Sequence, residues 1–118
     1  VKHIVTFKFK GSDEVRKEIA RKFADALIAL PAQIAELKSI EVGINENPKE
    51  SWDLVLTATA DSLEDVAIYS AHPAHVAAVQ IIAPYKEIGR ALISRSEKSL
   101  RTIIEKAWTL SSMPFLIG

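Results

Sequence analysis

Hydrophobic residues in this chain change their spacing abruptly, and that change limits the possible folds more than any other feature. From residue 1 to residue 10 the pattern alternates. Val1, His3, Val5, Phe7 and Phe9 share one face, and Lys2, Ile4, Thr6, Lys8 and Lys10 share the other. Period two is the signature of a β-strand, and it places His3 on the apolar side. Gly11-Ser12 interrupts the strand. Ser12 is placed to cap a helix whose first turn carries Asp13 and Glu14. Val15, Ile19, Phe23, Ala26, Leu27 and Leu30 then recur at helical spacing, with Arg16, Lys17, Arg21 and Lys22 off that face. This predicts a long amphipathic helix ending at Pro31.

The same two periods continue along the chain. Residues 32–38 read as a loose turn or short helix. Ser39 to Asn45 alternates Ile40, Val42 and Ile44 against Glu41 and Gly43, as a second strand would. A polar connection leads to a third strand, Trp52 to Ala60, and its shortness predicts a hairpin. Ser62 with Asp65 resembles a capping box, opening a helix to about Ala71. Pro73 suits the first turn of a further helical piece running to about Ile82, where Ala83-Pro84 ends it. Ile88 to Ser94 reads as a fourth strand. Strand, helix, strand, strand, helix, strand is the ferredoxin-like α+β order, with a four-stranded antiparallel sheet. Helices cover one sheet face. The other, with Ile4, Thr6, Val55 and Thr57, is left partly apolar, and a second copy of the chain is the simplest cover, so a homodimer through this open face is expected. Residues 1–95 form this domain. Residues 96–118 are expected to form a C-terminal helical extension carrying Leu100, Ile103, Ile104, Ala107 and Trp108.

Composition narrows the functions. Lysine plus arginine equals aspartate plus glutamate, 15 against 15, and there is no basic stripe. Nucleic acid and anionic membrane are therefore not expected partners. The absence of cysteine rules out disulfides, thiolate catalysis and cysteine-ligated zinc, and it suits a cytoplasmic protein. The first residues do not read as a signal peptide, and no segment approaches the ~20 apolar residues of a membrane span.

Two of the three histidines fall in Tyr69-Ser70-Ala71-His72-Pro73-Ala74-His75. Their spacing suggests a chelate, but Pro73 puts a helix boundary between them and no adjacent carboxylate completes a ligand set, so neither a metal nor another cofactor is expected. His75 falls near the third position of the helix opened by Pro73. The positive end of the helix dipole there favours a neutral imidazole, able to accept a proton. Tyr69, one turn earlier, can donate to a carbonyl or an enolate oxygen. His3 projects toward the same layer, and His72 precedes a proline, at a boundary. Each has an ordinary structural alternative: a cap for His72 or His75, a satisfied core position for Tyr69 or His3.

The Val1-Lys2-His3-Ile4-Val5 opening, Asp53-Leu54-Val55-Leu56 in the third strand and the Tyr-x-x-His-Pro-x-His element together resemble the stress-responsive A/B barrel domain family, over about residues 1–95. The resemblance implies a ferredoxin-like fold that pairs through its sheets into a dimeric α+β barrel. Many members have no assigned reaction. One plant member closes and aromatises a polyketide by aldol condensation, and by resemblance His75 and Tyr69 match its catalytic pair and His3 its strand-one pocket histidine. Leu54 stands where that member has a further pocket histidine, and the tail after Ser94 departs from the family.

Three functions compete: a dimeric domain binding a small apolar ligand near His3, Leu54 and His72; a cofactor-free cyclase, lyase or isomerase with His75 as base and Tyr69 as acid; and a cofactor-independent oxygenase. A cavity of roughly 300 Å³ or more lined by His3, Tyr69 and His75 would favour a ligand or substrate, whereas with those side chains packed against one another and no void the enzyme reading fails.

Overall fold

The computed structural model describes residues 1–95; the expected C-terminal helix lies outside them. The elements are β1 (Lys2–Phe9), α1 (Asp13–Ile28), a 3-10 turn (Leu30–Ala32), β2 (Ser39–Ile44), β3 (Leu54–Thr59), α2 (Leu63–Ala71), α3 (Pro73–Ile82) and β4 (Lys86–Ser94). All pairings are antiparallel, and the strand order is β2-β3-β1-β4. This is the ferredoxin-like α+β arrangement expected from the periods, with the second helix divided in two.

Local chemistry accounts for the boundaries. Gly11 takes φ 115°, a conformation that L side chains rarely adopt, and turns the chain from β1 into α1. The Ser12 hydroxyl accepts from the Val15 amide at 3.3 Å, and Ser62 does the same for Asp65 at 3.1 Å, so both expected caps form. α1 stops at Ile28, before Pro31, which sits in the following 3-10 turn. β4 begins at Lys86, ahead of the expected Ile88, because Phe9 still pairs with Lys86 across an irregularity between Lys8 and Phe9.

The core lies between the helices and one sheet face. Val5, Phe7 and Phe9 of β1 meet Leu54, Leu56 and Ala58 of β3, and Ile19, Ala20, Phe23, Ala24 and Leu27 close over them from α1. Full burial of a side chain like Phe23 contributes ~1.5–3 kcal/mol. Val15, expected on this face, is instead exposed: it stands in the first turn of α1, beside Gly11. The opposite sheet face carries half-buried Ile4, Thr6 and Thr57 with exposed Val55 and Leu92. β4 is thinly covered even on the helix side, where Ile93, paired with His3, is exposed. Asp53 ties the far end of the sheet together. Its carboxylate accepts from the Phe9 amide at 2.7 Å and lies 3.5 Å from Arg16 Nε, an ion-pair contact. No helix among the described residues is long and apolar enough to cross a membrane.

Candidate functional site

His3, Tyr69 and His75 come together at the end of β1 where the chain starts. Each arrives by a different route. His3 is on the helix-side face by strand alternation. Tyr69 is in the last turn of α2, and His75 is the third residue of α3. The Tyr69 and His75 rings meet edge to face with centroids 4.8 Å apart, and His3 meets Tyr69 in the same way at 6.0 Å.

Hydrogen bonding assigns the His75 tautomer. Its Nδ1 lies 2.8 Å from the Ser70 carbonyl oxygen. A carbonyl can only accept, so Nδ1 carries the proton and Nε2 is left as the bare, accepting nitrogen. Burial lowers the His75 pKa from the ordinary 6.5, against a smaller raising effect of the Ser70 bond. Burial also lowers the His3 pKa, and the charge of a protonated His75 adds to this. Burial raises the Tyr69 pKa to about 12. At neutral pH the cluster therefore holds two neutral imidazoles and a phenol that keeps its proton.

The tyrosine hydroxyl and His3 Nδ1 are buried and have no hydrogen-bond partner among the described residues. Leaving a buried polar group unpaired costs ~1–3 kcal/mol. Two such atoms beside the bare Nε2 of His75 make a small set of donors and acceptors in apolar surroundings.

The other expected site residues lie differently. His72 caps α3: its Nδ1 accepts from the Ala74 amide at 3.0 Å. With Nδ1 of His72 and Nδ1 of His75 both engaged by backbone, the two rings do not form a chelate through those atoms. Among the described residues no three metal-ligating side chains gather. Leu54 shares the helix-side face but pairs with Phe7, whereas His3 pairs with Ala58. Four residues of strand, ~13 Å, separate Leu54 from the cluster. Leu54 instead lines a cleft of about 300 Å³ with Gly43, Ile44, Trp52 and Val55. A second cleft, of about 870 Å³, lies between the start of α1 and the 45–51 loop, lined by Lys8, Arg16, Arg21 and Asn47 among others. Neither cleft includes His3, Tyr69 or His75. The expected cavity is thus not among these clefts, and the cluster's rings touch. His3 and His75 are half-buried, while Tyr69 is only 1% exposed. The Ser70 carbonyl, which orients His75, escaped the sequence reading because it is a backbone group. Its only signal is the five-residue offset across the break at Pro73.

The fold and cluster define a ferredoxin-like α+β domain with a histidine–tyrosine group between sheet and helices. Residues 1–95 match the model of the Stress responsive A/B Barrel Domain, and the chain belongs to that family. It is 30% identical over 79 residues to olivetolic acid cyclase of Cannabis sativa, covering 64% of this chain and 76% of the relative. A dimeric ferredoxin-like protein of unknown function from Bacteroides fragilis superposes with a TM-score of 0.75 at 42% identity, covering 77% of this chain and 90% of that one. A dimeric ferredoxin-like protein of unknown function from Thermobifida fusca gives 0.65 at 32%, covering 77% and 85%.

Proposed function

We propose that this chain acts as a homodimer joined through its open sheet face, each protomer binding a small, largely apolar carbonyl compound at His3, Tyr69 and His75. The observation that carries the ligand reading is the Tyr69 hydroxyl, buried without a partner among the described residues on a ring that packs against the His75 ring. A ligand carbonyl accepts from that hydroxyl and restores the lost hydrogen bond, while the apolar surroundings take its hydrocarbon part. The ligand meets the cluster over the half-buried imidazole edges. The dimer reading is supported by the half-apolar outer face and by the dimeric relatives from B. fragilis and T. fusca. Sedimentation at micromolar concentration is expected to give a dimer mass, and a monomer would count against it.

The ligand reading is tested by titrating a straight-chain methyl ketone, with the alkane of equal length as control, and following the Tyr69 and His75 ring resonances. The ketone should move them in wild type and not in Tyr69→Phe. Equal shifts with the alkane, or none with the ketone, would rule the reading out.

A second reading is proton transfer next to the carbonyl. It is favoured by one observation, the fixed tautomer that leaves Nε2 of neutral His75 free to accept a proton. Tyr69 then donates to the developing enolate oxygen. The kinship with olivetolic acid cyclase supports it. The measurement is exchange of the ketone's α-protons in heavy water: wild type should accelerate it, and His75→Gln should return it to the background rate.

A further inference from the structure

Building on the reading that His75 meets the ligand, we propose that His72 is a positioning residue: its ring caps α3 and thereby holds His75 in the one tautomer that leaves Nε2 able to accept a proton. Tyr69 and His75 are six residues apart. In an unbroken helix of 3.6 residues per turn they would point about 120° apart, on different faces. Their rings touch at 4.8 Å because α2 ends and α3 starts between them. The bond from His75 Nδ1 to the Ser70 carbonyl crosses the same break. The geometry of the break therefore sets both the Tyr69–His75 contact and the His75 tautomer.

Pro73 and His72 shape that break. Proline drives the residue before it into extended backbone, and His72 has φ −62° and ψ 137°. Proline also has no amide proton, so the first N–H that α3 offers belongs to Ala74. The His72 ring takes it, at 3.0 Å. His72 makes two further bonds through its backbone: its N–H donates to the Tyr69 carbonyl at 3.2 Å, and its carbonyl accepts from the Val76 amide at 3.0 Å. It is the last link of α2 and the cap of α3 at once. Of its three bonds only the ring bond depends on the side chain. Without it the first turn of α3, which carries His75, loses its side-chain anchor. The bond from His75 to Ser70 then competes with other ring orientations.

The test reads the His75 ring directly, by imidazole nitrogen resonances. In wild type His75 should be protonated at Nδ1, and His72 Nδ1 should show the signature of an unprotonated, accepting nitrogen. His72→Ala should mix the His75 tautomers and, because the Ser70 bond raises the His75 pKa, move its titration midpoint further down. His72→Asn, whose side-chain oxygen can cap in the same place, should restore the wild-type tautomer and midpoint. A His75 unchanged in His72→Ala, or His72→Asn as altered as His72→Ala, overturns the proposal. Should His72→Ala fail to fold, the wild-type spectrum still decides, because a proton found on His72 Nδ1 overturns the cap without any variant. None of these readouts needs a ligand, so a protein that binds no ketone can still show the tautomer shift, and the two readings fail separately.

Discussion

The helix-side face of β1 carries two aromatic clusters, one toward each end. Toward the C-terminal end Phe7 meets Phe23 edge to face at 5.2 Å and stacks on Phe9 at 6.3 Å. Toward the N-terminal end His3, Tyr69 and His75 meet edge to face at similar distances. Each cluster contains an edge-to-face pair at close spacing, Phe7–Phe23 in one and Tyr69–His75 in the other. In the phenylalanine cluster every contact is carbon on carbon, and Phe23 is wholly buried. In the other, a hydroxyl and a ring nitrogen are buried without partners among the described residues. Edge-to-face packing thus occurs in two chemical settings along one strand. One cluster is apolar throughout, and the other leaves buried polar atoms unpaired, which is the feature the proposed ligand reading rests on.

Substitutions should separate the two ends by size and by sign. The largest effect is expected from Phe23→Ala, which leaves a cavity between α1 and the sheet and should cost ~3–5 kcal/mol in urea unfolding. A loss below about 1 kcal/mol would mean that the phenylalanine cluster is not the stabilising end. Tyr69→Phe should act in the opposite direction. Removing an unpaired buried hydroxyl should leave stability unchanged or raise it by up to ~1 kcal/mol while ketone binding is lost. A clear destabilisation would show that the hydroxyl has a partner and that the contrast between the clusters is false. The smallest effect is expected from pH. The folded pKa values of His3 and His75 lie below the ordinary 6.5, so over that interval the unfolded chain binds more protons than the folded one. Their stabilisation is complete above 6.5 and is lost as pH falls through the folded values. Melting temperatures followed downward from neutral pH should therefore decline, less steeply in His3→Phe. Identical slopes would remove His3 from the cluster's electrostatics.

Much of this was legible in the residues themselves. Alternation in β1 puts His3 on the helix side with no knowledge of the fold, and Ser12 and Ser62 announce their helices because a hydroxyl before a helical pattern has an amide to bond. Pro73 marks the break and places His75 at the third position of α3. The parts that could not be read depend on long-range register. Leu54 lies on the expected face, yet nothing local reveals that it pairs with Phe7 and not near His3. The early start of β4 follows from the irregularity opposite Phe9, and the exposure of Val15 from its place in the first turn of α1.

The register of β1 also bears on the order in which the chain can fold as it is made. β1 sits inside the sheet, and neither of its neighbours is close in sequence: Lys2 pairs with Thr59 on one side and with Ser94 on the other. β1 leaves the ribosome ahead of both partners and therefore waits for β3 before either edge is paired, and for β4 before its second edge is covered. Pairings this distant close late, because the intervening chain must be ordered first. During that interval Val5, Phe7 and Phe9 remain available to other chains. Slower synthesis between residues 10 and 54 would prolong that exposure, while an intact β4 ends it.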